Sequence, residues 1–129
     1  MTSGTDKGET MHFVRQAEDV QEEMVGAGRD TVRQVLIGPG EGPNFQLRKF
    51  RIEPGGFMPM HTNTVEHEQY VLGGRAQVRI GGETFAVKAD DVVLIPAGVP
   101  HSYEAIGKEP FEFLCVVPNA PDRLEILDD

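Results

Sequence analysis

A single cysteine, Cys115, stands in a chain of 129 residues, so no internal disulfide forms and thiolate clusters drop out as metal sites. Nothing therefore points to an oxidising compartment. No run approaches the roughly 18 consecutive apolar residues that mark a membrane span, and residues 1–10 lack the basic and apolar regions of a signal peptide. Positive charge is also scarce. Twelve Lys and Arg against 21 Asp and Glu give a net charge of −9, which repels nucleic-acid phosphates. These absences set the expectation of a cytoplasmic protein with no nucleic-acid and no membrane partner. The chain also has no internal repeat, no low-complexity stretch, no Ser-His-Asp arrangement and no phosphate-binding glycine loop.

What remains has the balance of a single folded domain with its own core. Residues 1–10 read as a flexible tail, 11–120 as the domain and 121–129 as an acidic, weakly structured tail. Met11 to Arg15 fits a short strand, and Gln16 to Val25 is rich in helix formers, enough for two turns before Gly26 and Gly28. From there the pattern is β. Thr31–Ile37, Phe45–Glu53, Gln69–Leu72, Ala76–Ile80, Thr84–Lys88, Val92–Ile95 (a buried run), Val99–Ala105 and Phe111–Val117 are separated by Gly, Pro and Asp turns. Short strands at that spacing describe an all-β sandwich or barrel with a short N-terminal helical segment.

The chemistry concentrates in two places. Of four histidines, His61 and His67 fall in Pro54–Gly74, and His101 in the turn-rich segment Ile95–Tyr103. Asn63 follows His61 at strand spacing, so the two side chains project from one face. His12 lies outside both segments and reads as a structural or surface residue. Imidazoles gathered from distant segments point to a metal site, and a neutral histidine set leaves the ion its full positive charge.

Gly55, His61, Asn63, His67 and Gly74 fall on the positions of the first cupin motif, with Asn63 in place of its second histidine and His67 in place of its glutamate. Asp90, Pro96, Gly98, His101 and Ala105 fall on the second, with Asp90 and Ala105 as departures at turn and packing positions. The chain thus resembles the cupin superfamily over about residues 30–120. Within it, Val65–Gly74 and Phe111–Pro118 resemble the small single-domain bacterial cupins with an all-histidine, manganese-type site. The resemblance implies a double-stranded β-helix, or jelly-roll, barrel. It also implies a divalent metal, manganese or iron first, with zinc, nickel or copper as the others, held by His61, His67 and His101. Asn63 is expected as a weak fourth ligand or as the anchor of a water in that position. A homodimer is implied too, and exposed sheet edges give it a physical reason.

Strand alternation then proposes the lining of the pocket. Tyr103 shares the phase of His101 and is its polar, candidate catalytic group. Phe113 and Cys115 belong to the inward phase of the last long strand, Phe50 and Arg48 to the strand before the first motif, and Met58 and Met60 flank the first ligand strand. Glu66 and Glu68 beside His67 read as outward groups or as supports behind a ligand, not as ligands themselves. A metal in a largely apolar pocket supports an oxygenase-type enzyme on a small molecule. A non-catalytic binding or sensing cupin is the alternative, and a sugar-acid isomerase or epimerase is disfavoured by the scarcity of polar lining.

Overall fold

Between Val65 and Val71 every odd-numbered residue is buried and every even-numbered one is exposed, the period-two pattern of a strand with one face on a core. The last long strand repeats it, burying Phe111, Phe113, Cys115 and Val117. The computed structural model describes residues 11–127. The tail expected over residues 1–10 lies outside them, as do the final two residues of the acidic tail.

After one 3-10 turn at Ala17–Asp19, the strands in chain order are β1 Glu23–Met24, β2 Arg29–Ile37, β3 Phe45–Thr62, β4 His67–Gly73, β5 Arg75–Ile80, β6 Glu83–Lys88, β7 Val92–Ile95, β8 His101–Ile106, β9 Phe111–Pro118 and β10 Glu125–Ile126. Every pairing is antiparallel. The main order is β6-β5-β8-β3-β9-β4-β7, with β2 and β10 also pairing with β3 and β1 with β2. The sheet curls around a core that includes Ile52, Val71, Val78, Ile95 and Phe111, which is the all-β jelly-roll barrel expected. No helix among the described residues is long and apolar enough to cross a membrane.

Four expectations are corrected. The helix over Gln16–Val25 shrinks to the 3-10 turn, because that segment has no apolar face to bury and no side chain caps its start. The Gln34 amide instead takes the carbonyls of Ala17 and Val20 at 2.8 and 2.9 Å. Met11–Arg15 forms no strand. Arg15 ties that segment down by reaching Glu41 and the Leu36 carbonyl. Val92–Ile95 is not a buried run, since Val92 and Leu94 face outward.

The fourth correction matters most. The strand beginning at Phe45 does not stop at Pro54 but continues to Thr62. Its first half pairs with β9, from Phe45↔Pro118 to Ile52↔Phe111, and its second half with β8. The bend between the halves is Pro54-Gly55-Gly56, where Gly55 has φ +84°. Changing partners along one bent strand lets the sheet roll up.

Two turns test the backbone requirement separately. At Gly74, φ is +73° and an added Cβ would collide with the Pro110 carbonyl oxygen, whereas at Gly55 it would meet nothing within 4 Å. Gly74→Ala is expected to cost roughly 2–4 kcal/mol and Gly55→Ala about 1 kcal/mol. Urea unfolding of the two variants checks this, and equal costs would contradict it.

Candidate functional site

Strand register brings the two motifs together. His61 in β3 lies opposite His101 in β8, after a register shift between Met58 and His61. That bulge puts Met58 and His61 on the same inward side despite their odd spacing. The turn leading into His101 is closed by the Val99 amide donating to the Pro96 carbonyl. Within it Gly98 has φ +80° and donates its N–H to the Asn63 carbonyl at 2.8 Å. His67 opens β4, with Gln69 next on the same face. His61, Asn63, His67, Gln69 and His101 are all buried.

The hydrogen-bond partners of the ring nitrogens decide what the histidines present. The His61 Nδ1–H donates to the Pro59 carbonyl at 2.7 Å and the His101 Nδ1–H to the Val99 carbonyl at 2.9 Å. A carbonyl only accepts, so both Nδ1 atoms carry the proton and both Nε2 atoms keep a lone pair. His67 differs, since its Nδ1 lies 3.3 Å from the Cys115 sulfur. A thiol both donates and accepts, so this ring is free to take either tautomer. The Nε2 atoms of His67 and His101 and the Asn63 Oδ1 are buried without a partner.

Burial also fixes the charge. It pushes His67 down to about 3, helped by the Arg48 guanidinium and by His101. It pushes His101 down to about 4, helped by His61, and lowers His61 as well. All three are neutral imidazoles near pH 7. Tyr103 is driven well above the usual phenol range by burial, so it stays protonated. Its hydroxyl oxygen accepts from the Gln69 amide at 2.7 Å, which leaves the phenolic proton free to donate into the site.

These groups line a cavity of about 170 Å³, room for about five or six waters. Arg48, Phe50, Phe113, Tyr103, Asn63 and the three histidines line it. Met60 does not. The bulge turns it to an outer groove beside Gln77 and Ser102, and Met58 takes its place. Cys115 sits behind the wall, fully buried, against His67 and Arg48. Glu66 and Glu68 are exposed.

Two contributors went unread in the sequence. Gln69 was legible in principle, because it repeats the inward phase of His67. Asp122 was not. The acidic tail expected to be weakly structured returns across β3, pairing Glu125 with Thr62 and Ile126 with His61. Asp122 then accepts from the Asn63 side-chain amide at 3.2 Å and from the Thr64 N–H at 3.0 Å. That contact turns Asn63 Oδ1 away from Asp122 and leaves it bare.

Among the described residues, no three His, Cys, Asp or Glu side chains are placed to hold one ion between them. The rings meet pairwise, with centroids 4.2 Å apart for His61–His101 and 5.6 Å for His67–His101. The donors nevertheless suit a divalent cation in kind. Bare lone pairs on neutral imidazole and amide oxygen are costly to bury, about 1–3 kcal/mol each, and a cation is their natural partner. The anchored Nδ1 atoms are the outer contacts that hold metal-binding rings in place.

Residues 48–117 match the model of the Cupin domain family. The chain is 37% identical over 124 residues to an uncharacterised protein of Methanocaldococcus jannaschii, covering 92% of this chain and 98% of that protein. It is 33% identical over 98 residues to the 1-methylthio-D-xylulose 5-phosphate methylsulfurylase of Rhodospirillum rubrum, covering 76% of this chain and 62% of that enzyme's length. Among solved structures, the polyketide cyclase RemF of Streptomyces resistomycificus superposes with a TM-score of 0.81 at 30% identity, covering 92% of this chain and 89% of that one.

The lowered histidines make stability depend on pH in a defined direction. In the unfolded chain these rings take a proton near pH 6.5, whereas in the fold His101 and His67 resist until about 4 and 3. Between those values the unfolded state binds more protons. In chelator-treated protein the stabilisation is full above about pH 6.5 and falls as pH drops, by up to about 1.4 kcal/mol per pH unit for each ring. Urea midpoints from pH 7.5 to 5 are expected to show this, with a shallower fall in His67→Gln. A flat profile would mean the rings are not buried neutral.

Proposed function

The chain belongs to the cupin domain family, and on that premise we propose that it is a metal-dependent enzyme acting on a small, largely apolar molecule by oxygenase-type chemistry. One observation carries the reading: the Nδ1–H groups of His61 and His101 are committed to backbone carbonyls, so imidazole lone pairs are what the cavity is offered. His61, His67 and His101, which meet only pairwise as they stand, would have to close together to hold the ion, with the Asn63 oxygen beside them. Manganese or iron leads, and zinc, nickel or copper suit the same donors. When bound, such an ion supplies a positive centre that polarises an oxygen donor of the substrate and brings dioxygen beside it.

The chain's own residues supply the rest. Phe50 and Phe113, stacked with centroids 5.2 Å apart, keep water from one wall and bury the apolar part of the ligand. Tyr103, stacked on Phe113 and oriented by Gln69, donates its phenolic proton to an oxygen of the ligand. It does not act as a base near neutral pH, because burial keeps it protonated. Cys115 is held as a thiol by the same desolvation, so it serves as a hydrogen-bond partner of His67 rather than as a nucleophile.

A non-catalytic small-molecule cupin is the second reading, favoured by the pairwise rather than threefold meeting of the rings. Metal analysis of freshly purified protein separates the two. Expression with added manganese or iron is expected to give one ion per chain, removable by chelator and restored by reloading. His101→Ala should lower occupancy by more than about tenfold, and Asn63→His should raise affinity. Loaded protein is then expected to consume oxygen with one of a panel of diketones, thiols and alkenes. Sub-stoichiometric metal that reloading does not restore would leave the second reading.

We also propose that two copies pair through the outer face of β4, β7 and β9. Tyr70, Leu72, Val92 and Leu94 are exposed there, and Leu47, Leu114 and Val116 extend the patch. An apolar face of this kind is commonly an interface. Light scattering should give twice the chain mass, and the Val92→Glu, Leu94→Glu double variant should shift it towards the monomer. A monomeric wild type would remove this proposal.

A further inference from the structure

Arg48 is a cation with nothing adequate to hold it. It lies in β3 opposite Cys115 of β9, and its Nη2 donates to that sulfur at 3.4 Å. Sulfur is a weak acceptor, and a guanidinium carries five donors. The Nε–H is buried without a partner, and the guanidinium carbon stands 5.1 Å from the Phe50 ring centre. No carboxylate lies within ion-pair distance of Arg48 among the described residues.

Its neighbours on the strand are treated differently. Lys49 and Arg51, on the outward phase, are matched by Glu112 and by Glu22 and Glu53. The surface cations of β3 are compensated, then, while the inward one is not. Nothing else in the cavity compensates it. The three imidazoles are neutral near pH 7, and Asp122, the carboxylate on the lining, already accepts from Asn63 and Thr64. A half-buried guanidinium against aromatic rings, without an anion, is a cost the fold carries.

We propose that Arg48 is a specificity-determining residue and that the ligand of this cavity is a small carboxylate on an aromatic or apolar body. The planar fork of Arg48 receives the carboxylate. The stacked Phe50, Phe113 and Tyr103 rings receive the body, and the cavity volume of about 170 Å³ limits its size. The proposal rests on reading this cavity as the small-molecule site and is independent of the metal.

Benzoate and benzamide are matched probes that differ in charge and hardly in shape. Their binding to the full chain is measured by calorimetry or NMR titration with a chelator present, so that metal contributes nothing. Benzoate is expected to bind at least about tenfold more tightly than benzamide, the scale of charge-assisted hydrogen bonding. Arg48→Met should bring the two together by weakening benzoate alone. Arg48→Gln, which retains a donor for the Cys115 sulfur, should do the same. Because the cation lacks a carboxylate partner, both variants should melt at or above the wild-type temperature. Equal affinity for the two probes, no binding of either at 10 mM or below (roughly the weakest affinity worth reading), an equal loss for both in the variants, or a large fall in melting temperature would overturn the proposal. None of these results bears on metal occupancy, which the histidine variants read separately.

Discussion

The pairing of β3 with β8 sets His61 against His101, and much of the site depends on that register. A slip of one residue in either strand would turn its ring out of the barrel, since side chains alternate faces along a strand. The register is held from both ends. The Pro96–Val99 turn enters β8 and is tied back to Asn63 by the Gly98 amide, and the bulge in β3 adjusts its phase before His61. Each ring then reaches back two residues to a carbonyl of its own segment. Backbone geometry thus selects the tautomer, and through it the atom offered to the cavity.

Neutrality follows from the same enclosure. Burial that would penalise a charged imidazole leaves three uncharged rings side by side, which would repel one another if protonated. The cost of the enclosure is unpartnered polar atoms: two ring nitrogens, an amide oxygen and one guanidinium N–H. Native interiors leave few such groups unsatisfied, and here several border one cavity. Two kinds of orphan meet there. The lone pairs on neutral donors call for a positive centre, and the N–H of Arg48 calls for a negative one. A metal and an anionic ligand together would meet both needs.

The C-terminal segment supplies a different form of control. Asp122 is far from Asn63 in sequence, yet its carboxylate takes both the Asn63 side-chain amide and the Thr64 backbone amide. β10 then lies along β3 at His61, and the Leu127 amide bonds the Met60 carbonyl. The segment fastens the strand that carries His61 and closes one side of the cavity at Leu124. An acidic tail with no core to enter gave little sign of this, because its partners are single polar groups rather than a buried face.

Local rules were enough for most of the strands from β2 to β9 and for the inward faces of β4, β8 and β9, because period-two burial is written directly in residue order. Those rules, with the resemblance in the two histidine motifs, proposed His61, His67, His101, Tyr103, Phe50, Phe113 and Arg48 as site residues, and in the fold these residues border one cavity. They failed where a contact distant in sequence overrode a local preference. Gln34 claimed the carbonyls of the expected helix, the Pro54-Gly55-Gly56 bend carried β3 onward to a second partner, and the bulge exchanged Met60 for Met58. The sequence by itself determined which residues could line a barrel and that its histidines would be few and clustered. Only the tertiary structure decided which nitrogen His61 and His101 present and which charges go uncompensated. Those depend on partners brought from other strands, and residue order does not record the partner.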